Sequence, residues 1–322
     1  MDVIVVGAGA VGGAIGAGLA RAGHHVGLVA RGAHLQVLQE RGLRLETPDG
    51  AEVLQLPAAA RVEELGFEPD VVFVATKVQD FAAAAAGVDP SWPVVCATNG
   101  VEAERLALRR FHHVLGCMVA TPAEHLEPGL IRVFASPLAV LDVGRWPSGV
   151  DPACEALASA LRGAGFLSEA RADVAAWKYG KLLSNLGNAL QAACGPEVDD
   201  PELLAAARAE AGAVFAAAGV TAVPFERITA RMREMRYGSI EGAPRGGGST
   251  WQSLRRGSGV EVDWLNGEIA LLGRLHGVPT PVNVALQQVV SELARAGRPP
   301  GSVSLAEVRR RATESSPRPR SG

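Results

Sequence analysis

The chain of 322 residues is long enough for two domains that each bury an apolar core. Apolar residues make up 48% of the sequence and charged residues 20%, which indicates a globular protein rather than a disordered or fibrous one. A formal net charge of -3 provides no broad basic surface for nucleic acid or anionic membrane. We therefore expect a small-molecule partner.

The cysteines and the N-terminal residues indicate which kinds of site and which compartment to expect. No CxxC pair and no histidine at zinc-ligand spacing accompany the cysteines, so neither a metal site nor a disulfide is expected at Cys96, Cys117, Cys154 and Cys194. Met1 leads within a few residues into a glycine-rich loop, without the features of a signal peptide. No apolar run approaches the roughly 20 residues that cross a bilayer. We expect a cytoplasmic protein.

Up to residue 168, short β-branched runs alternate with Ala-rich helical stretches, which is the pattern of a parallel sheet covered by helices. Five apolar runs are predicted strands: Val3–Val6, His25–Val29, Val71–Ala75, Val94–Ala97 and Val114–Val119. Two more, Gly129–Phe134 and Leu138–Val143, flank Ser136-Pro137, and we expect them to pair antiparallel at the sheet edge. The pattern predicts an N-terminal Rossmann-type doubly wound sheet over residues 1–168.

Beyond Phe166 the strand patterns stop and helical periodicity takes over. The predicted helices are Ala172–Ala193, Pro201–Ala218, Phe225–Tyr237, Val260–His276 and Asn283–Ala296. A glycine-rich irregular loop is expected at Glu241–Ser249, and Arg231, Arg233 and Arg236 are expected to form a solvated helix face. The fold class is therefore α/β with a mainly α-helical C-terminal domain over residues 169–312. Residues 313–322 are polar and proline-rich and predict a disordered tail.

The first predicted strand runs directly into a glycine-rich loop and an apolar helix, an arrangement that binds dinucleotides. The loop consists of Gly7, Ala8, Gly9, Ala10, Val11 and Gly12. Gly7 permits the tight turn, Gly9 lets the backbone approach a pyrophosphate, and Gly12 lets the helix pack closely on the strand. A strand, loop and helix without a ligand is the alternative, but it does not need three glycines so placed.

Cations and an amide follow the other predicted strands. Arg31 stands where an NAD-binding chain would place a carboxylate on the ribose, and its guanidinium suits the 2'-phosphate of NADPH. Lys77 supplies a second positive charge at the same sheet edge, so we predict NADPH rather than NADH. A solvated surface cation is the alternative for Arg31. Asn99 belongs either beside the nicotinamide or to a turn-forming Asn-Gly pair.

Lys181, Asn185 and Asn188 fall at i, i+4 and i+7 of a predicted helix and therefore share one face. Hydride addition to a ketone leaves an alkoxide, which needs a proton donor, and burial lowers the pKa of a lysine enough to serve. Lys181 is the predicted acid, Lys178 one turn earlier is its rival, and a solvated polar stripe is the alternative. Glu261 is the predicted carboxylate that holds the ammonium or a substrate hydroxyl.

These residues occur in an order that resembles the ketopantoate reductase (2-dehydropantoate 2-reductase) family over nearly the whole chain. The resemblance rests on the glycine loop, Arg31, Thr76-Lys77, Asn99-Gly100, Lys181-x-x-x-Asn185, Ser249 and the stretch from Gly259 to Gly267. It implies NADPH-dependent reduction of 2-dehydropantoate to pantoate, on the way to pantothenate and coenzyme A.

The resemblance also implies a role for each site residue. Lys181 would be the general acid, Asn185 and Asn188 would support it and the substrate, Ser249 would bind the substrate carboxylate, and Glu261 would hold lysine and substrate. The cofactor residues would be the glycine loop, Arg31, Lys77, Asn99 and Glu261, with the two cations on the 2'-phosphate and Asn99 beside the nicotinamide.

Three departures fall on the substrate side. Asn188 follows the lysine by seven residues where the family usually has eight, Gly246 replaces a frequent asparagine, and Ser253 replaces a frequent aspartate. A relative that reduces another 2-oxo acid or an imine, and a non-catalytic NADPH-binding regulator, are therefore the alternatives. Retention of Lys181, Asn185 and Glu261 argues against the regulator, because a sensor needs no proton donor. The oligomeric state is left open, a homodimer included.

Overall fold

Two groups of residues form separate cores in the computed structural model, which describes residues 1–314. The first unit comprises Met1–Lys178 and Glu226–Arg245, and the second comprises Tyr179–Phe225 and the residues from Gly246 onward. The chain thus leaves the first unit inside a helix, whereas the sequence pattern places the domain boundary at residue 168. The predicted tail begins inside a helix that ends at Glu314, and its residues 315–322 lie outside the described part of the chain.

The strands are short, and all those of the described residues belong to the first unit. Those of the described residues are β1 (Asp2–Val6), β2 (His25–Val29), β3 (Leu43–Thr47), β4 (Gly50–Leu54), β5 (Ala58–Ala59), β6 (Val71–Val74), β7 (Val94–Cys96), β8 (Val114–Ala120), β9 (Ala123–Glu127), β10 (Leu130–Val133), β11 (Ala135–Ser136), β12 (Val140–Arg145) and β13 (Arg236–Tyr237).

Helices occur in both units. Within residues 1–314 they are α1 (Ala10–Arg21), α2 (Gly32–Arg41), α3 (Phe81–Ala84), α4 (Glu102–Ala107), α5 (Pro152–Gly163), α6 (Val174–Asn185), α7 (Asn188–Cys194), α8 (Pro201–Ala217), α9 (Phe225–Met232), α10 (Ser249–Arg255), α11 (Asn266–His276), α12 (Pro281–Arg295) and α13 (Leu305–Glu314). Short 3-10 helices cover Val62–Leu65, Val78–Asp80, Ala85–Gly87 and Val262–Trp264. No helix of this part of the chain combines the length and the apolarity that a membrane span requires.

The main sheet of the first unit has the strand order β12, β8, β7, β6, β1, β2, β5. Every pair in it is parallel except β12 with β8. The inner strands are buried on both faces, since Ile4, Val5, Phe73 and Val95 are all fully inaccessible, which is why their sequences are uniformly apolar. The five predicted strands and the Rossmann-type α/β class are confirmed.

The predicted pairing of the two later strands with each other is wrong. β10 pairs antiparallel with β9 and parallel with β3, in a separate four-stranded sheet ordered β4, β3, β10, β9. The reason is local: β9 and β10 form a hairpin that turns at Gly129, whose φ of 76° suits glycine, so β9 occupies one edge of β10. Arg132 Nε then donates to Glu46 Oε2 on β3 across 2.8 Å. β12 is left to pair with β8.

The segment Glu226–Arg245 belongs to the first unit and also differs from expectation. α9 ends at Met232, and β13 then pairs antiparallel with β11 instead of continuing the helix. Arg231, expected on a solvated face, is 7% exposed and donates through Nη2 to Asp142 Oδ1 at 2.7 Å. Asp142 is fully buried in β12, so an ion pair must neutralise it. Arg233 and Arg236 are exposed as expected.

The second unit is helical and packs around an apolar core that includes Leu186, Leu286 and Val290. The predicted helix Ala172–Ala193 is interrupted, because α6 ends at Asn185 and α7 begins only at Asn188. Gly187 stands in the break, where glycine weakens helix continuation. Lys181 and Asn188 therefore do not lie on one continuous helix, and helical spacing does not place them on the same face.

Candidate active site

The carboxyl ends of four adjacent parallel strands line up the cofactor candidates in the first unit. In the order β7, β6, β1, β2, these ends lead to Asn99, Lys77, the glycine loop and Arg31. Ligands of open α/β sheets bind outside this edge. Arg31 and Lys77 therefore stand on opposite sides of the loop that follows β1, with Asn99 one strand beyond Lys77.

The geometry of the glycine loop fits a dinucleotide pyrophosphate. Gly7 has a φ of 97°, and a Cβ there would lie 2.7 Å from Thr76 Cγ2. A Cβ on Gly12 would lie 2.0 Å from the Gly7 carbonyl oxygen, so helix α1 packs against the loop too closely for any side chain. Gly9, the N-cap of α1, is open: the nearest atom to its Cβ position is His125 Nδ1 at 3.9 Å. Space beside a helix N-terminus is where phosphates bind.

Two buried hydroxyls at the same edge have unused hydrogen-bonding capacity. The Oγ1 atoms of Thr76, after β6, and Thr98, after β7, are inaccessible and find no hydrogen-bond partner among the described residues. Buried polar atoms are nearly always bonded. Together with the open face of Gly9, these hydroxyls indicate an edge built to receive a polar ligand.

The other cofactor candidates of the first unit, Arg31, Lys77 and Asn99, differ in exposure. Arg31 is exposed and is the N-cap residue of α2, in extended conformation. Lys77 is half-buried and precedes the 3-10 helix Val78–Asp80, and Asn99 is half-buried in the turn after β7. An exposed guanidinium at the end of β2 is accessible to a ribose phosphate.

A histidine that the sequence pattern did not single out contacts the glycine loop. His34, in the first turn of α2, places Nε2 2.7 Å from the Ala8 carbonyl oxygen, and its Nδ1 accepts the Gly129 N–H at 2.9 Å. Burial lowers the pKa of His34, and the hydrogen bond to Ala8 opposes this less strongly. Its partners are backbone atoms distant in sequence, so no motif could have revealed it.

Lys178, the rival proton donor, is occupied within the first unit. Its Nζ is 2.5 Å from Glu104 Oε1 and donates to the carbonyl oxygens of Thr98 at 2.9 Å and Cys117 at 3.1 Å. Lys178 is 2% exposed and Glu104 fully buried. Burial raises the pKa of Glu104 and raises that of Cys117 to about 12. Three acceptors saturate this ammonium, so Lys178 is placed to support the fold.

Lys181 has a different environment in the second unit. Its Nζ donates to Asn185 Oδ1 at 2.6 Å, one helical turn along α6, and both side chains are buried, with 9% and 4% exposure. An ammonium bonded to a neutral amide is oriented without being neutralised by it. The predicted i, i+4 contact of Lys181 and Asn185 is therefore present.

Asn188 and Ser249 lie on elements that pack together. α7 begins at Asn188, α10 begins at Ser249, and the two helices are in contact. A Cβ on Gly248 would lie 3.3 Å from Asn188 Oδ1, and the Gly248 N–H donates to Gln191 Oε1 at 3.3 Å. The structure thus brings the Asn188 amide beside Gly248, the residue that precedes Ser249, although Asn188 and Gly248 are 60 positions apart in the sequence.

The residue that departs from the family at position 253 has a structural role. Ser253 is 3% exposed, and its Oγ donates to the Ser249 carbonyl oxygen at 2.9 Å. Its own carbonyl oxygen accepts the Ser258 N–H at 2.9 Å. Ser253 therefore stabilises α10 from inside, where a carboxylate would have to be buried.

Glu261 is half-buried and precedes the 3-10 helix Val262–Trp264, with its carbonyl oxygen accepting the Trp264 N–H at 2.9 Å. Five residues on, Asn266 Nδ2 donates to the Leu186 carbonyl oxygen at 3.2 Å and to Asn283 Oδ1 at 3.1 Å. The bond to Leu186 fixes the break between α6 and α7. This break separates Asn185 from Asn188, the two asparagines predicted to bind substrate. Sequence reasoning placed Asn266 in the motif but assigned it no role.

A Rossmann-type unit with a glycine loop, followed by a helical unit that carries a buried lysine and asparagine, defines a class of two-domain oxidoreductases. The sequence pattern of ketopantoate reductase PanE/ApbA matches residues 3–148, and that of its C-terminal domain matches residues 173–294. The chain belongs to the ketopantoate reductase family, a family of pyridine-nucleotide-dependent reductases.

Curated relatives span almost the whole chain. A 2-dehydropantoate 2-reductase of Mesorhizobium japonicum is 32% identical over 334 residues, covering 91% of this chain and 98% of the relative. One from Archaeoglobus fulgidus is 31% identical over 297 residues, covering 89% and 96%. Among solved structures, a PanE/ApbA family ketopantoate reductase from Ralstonia eutropha JMP134 superposes with a TM-score of 0.77 at 29% identity, covering 92% of this chain and 99% of that one.

Proposed function

We propose that this chain is an NADPH-dependent reductase that converts 2-dehydropantoate to pantoate. The observation that carries the proposal is the buried hydrogen bond from Lys181 Nζ to Asn185 Oδ1. This bond gives Nζ a defined orientation, and a proton donor must be held within hydrogen-bond reach of the substrate oxygen. The two relatives described above are both named 2-dehydropantoate 2-reductase, which supports 2-dehydropantoate as the substrate.

The cofactor assignment rests on the sheet edge of the first unit. The glycine loop would hold the pyrophosphate, because Gly9 is open and α1 begins beside it. Arg31 and Lys77 would bind the 2'-phosphate. Asn99 would stand towards the nicotinamide, since it follows β7, which lies three strands from the β2 strand that leads to Arg31. NADPH, when bound, supplies a hydride for the keto carbon.

The proton comes from the second unit. Lys181 Nζ would donate a proton to the substrate oxygen as hydride addition converts the keto group to an alcohol. Asn185 Oδ1 would keep Nζ oriented during that transfer. Ser249 would bind the substrate carboxylate, and Asn188, whose amide lies beside Gly248, would bind the same end of the substrate. Glu261 would hold the lysine or a substrate hydroxyl.

A different 2-oxo acid is the second candidate substrate. Ser253 stands where the family frequently has an aspartate, so no carboxylate is present at this position, and the serine hydroxyl instead donates to the Ser249 carbonyl oxygen. A different polar group near Ser249 changes the contacts available to the carboxylate end of the substrate. The reaction type is unaffected, because Lys181 and Asn185 are retained.

NADPH oxidation measured over a panel of 2-oxo acids tests the proposal. We expect 2-dehydropantoate to give the highest kcat/KM, with pantoate as the identified product. The panel includes pyruvate, 2-oxoisovalerate and phenylglyoxylate, and Lys181→Ala is the matched inactive control. Turnover of another acid without 2-dehydropantoate would retain the reaction and replace the substrate, and no turnover of any acid would contradict the enzyme assignment.

Titration with both nucleotides tests the cofactor. Because charge-assisted bonds contribute about 1.5 to 3 kcal/mol, Arg31→Ala should weaken NADPH binding about 10- to 100-fold. NADH binding should change little, since NADH lacks the 2'-phosphate. Wild-type protein that binds the two nucleotides equally well, or an Arg31→Ala variant that keeps the preference for NADPH, would contradict this assignment.

A further inference from the structure

His34 is the one side chain in the first turn of α2 that bonds to the glycine loop in the described structure. The imidazole bridges two backbone segments, because Nε2 lies 2.7 Å from the Ala8 carbonyl oxygen and Nδ1 lies 2.9 Å from the Gly129 nitrogen. Ala8 is in the loop between β1 and α1, and Gly129 is in the turn between β9 and β10. One side chain thus connects three elements of the first unit.

The two partners define the protonation state of the ring. The Gly129 N–H can only donate, so Nδ1 must accept and cannot carry a proton. The Ala8 carbonyl can only accept, so Nε2 must carry one. The neutral Nε2–H tautomer is therefore the state that satisfies both bonds. Burial lowers the pKa of His34 and so favours this neutral form.

The surroundings hold the imidazole in place. A Cβ on Gly129 would lie 2.3 Å from Val37 Cγ1, so the hairpin turn packs directly on α2 and has no room for a side chain. The His34 and His125 rings lie 4.2 Å apart between centroids. His125 also borders the open face of Gly9, at 3.9 Å from its Cβ position. His34 therefore has a single well-defined position against the glycine loop.

Arg31 is attached to the same helical turn. It is the N-cap of α2, three residues before His34, and its own side chain is exposed. The Arg31 carbonyl oxygen accepts the Leu35 N–H at 3.3 Å, which ties the cap to the first turn. Any movement of the first turn relative to the glycine loop would displace Arg31 relative to Gly7–Gly12.

We propose that His34 is a positioning residue that sets Arg31 at a fixed distance from the glycine loop and thereby contributes to selectivity for NADPH over NADH. This inference rests on the proposed cofactor. Its physical basis is that a 2'-phosphate and a pyrophosphate are held at a fixed separation within one nucleotide. Arg31 and the glycine loop can both contribute fully to the binding free energy only if the distance between them is fixed before the nucleotide binds.

Nucleotide binding without substrate tests the inference. His34→Asn keeps an acceptor near Gly129 but is too short to reach Ala8, whereas His34→Gln can reach Ala8 with a donor. Loss of one buried bond predicts that His34→Asn weakens NADPH about tenfold and NADH much less. His34→Gln should recover most of the affinity. Gln36→Ala, an exposed change on the same helix, is the control.

A double variant separates positioning from general stability. If His34 acts through Arg31, His34→Asn should lower the NADPH to NADH affinity ratio in the wild-type background and leave it unchanged in Arg31→Ala. Equal weakening of both nucleotides, or no weakening, would overturn the inference. Should His34→Asn fail to fold, the ratio in His34→Gln and in His34→Gln with Arg31→Ala decides in the same way. Wild-type protein without NADPH preference would instead show that the proposed cofactor is wrong.

Discussion

Helix α6 carries two lysines, one turn apart, that contact different groups. Lys178, in the first unit, is paired with the buried carboxylate of Glu104 and with two carbonyl oxygens. Lys181, in the second unit, donates to the neutral amide of Asn185. The Lys178 ammonium thus has three acceptors within the first unit, whereas the bond to Asn185 orients the Lys181 ammonium within the second. We therefore propose a structural role for Lys178 and the role of proton donor for Lys181.

The largest effect is expected at Lys181. Removal of a general acid typically lowers the rate about 10²- to 10⁴-fold, so Lys181→Ala should reduce kcat with 2-dehydropantoate by that order. NADPH affinity should stay nearly unchanged, because the glycine loop, Arg31, Lys77 and Asn99 belong to the first unit. Steady-state kinetics and a nucleotide titration measure the two quantities. A Lys181→Ala variant with wild-type kcat would reverse the comparison of the two lysines.

Lys178 should instead affect stability. Lys178→Met leaves the Glu104 carboxylate buried and unpaired, which should lower the free energy of unfolding by about 3 to 5 kcal/mol at neutral pH. Urea unfolding measures this. The matched control is the double variant Lys178→Met with Glu104→Leu, which removes both charges and should recover most of the loss. If Lys178→Met is as stable as wild type but has no turnover, the assignment of the two lysines is exchanged.

The stability of the single variant Lys178→Met should depend on pH. Burial raises the pKa of Glu104 above its ordinary 4.5, and loss of Lys178 removes the main opposing influence. Between 4.5 and the raised value, the folded state binds more protons than the unfolded chain, so its stability increases as the pH falls. The stability deficit of Lys178→Met should therefore shrink as the pH is lowered through that window. A constant deficit would mean that Glu104 is not ionised at neutral pH.

The smallest of these effects is expected at Asn266, in the unit that carries Lys181. Asn266→Ala removes the donor to the Leu186 carbonyl oxygen and to Asn283, and an unsatisfied buried group costs about 1 to 3 kcal/mol. Urea unfolding should show a loss in that range. Arg274→Ala, an exposed change on the same helix, should stay within about 0.5 kcal/mol of wild type. Equal stability of both variants would remove Asn266 as the residue that fixes the break after Asn185.

The local parts of the fold could be predicted from the sequence. The five strands of the parallel sheet were recognisable because strands buried on both faces are uniformly apolar, and the glycine loop because it requires particular backbone conformations. The i, i+4 pairing of Lys181 with Asn185 followed from helical spacing alone. Each of these depends on residues close together in the chain.

The remainder depends on long-range partners. Arg231 looked like a surface cation because its partner Asp142 lies 89 residues away, although a carboxylate inside an apolar strand is a signal that some cation must be near. β10 pairs with β3 rather than with β12, and this pairing joins distant residues such as Arg132 and Glu46, which are 86 positions apart. His34 was missed because its partners are backbone atoms, which leave no trace in residue identities.

The most direct test of hydride reduction by this chain follows the label from the cofactor. NADPH carrying deuterium at both C4 positions is incubated with wild-type protein and 2-dehydropantoate, and the product is analysed by mass spectrometry. We expect pantoate with one deuterium on C2, formed about 10²- to 10⁴-fold more slowly by Lys181→Ala. Oxidation of NADPH with unlabelled pantoate, or labelled pantoate formed equally fast by Lys181→Ala, would contradict the account.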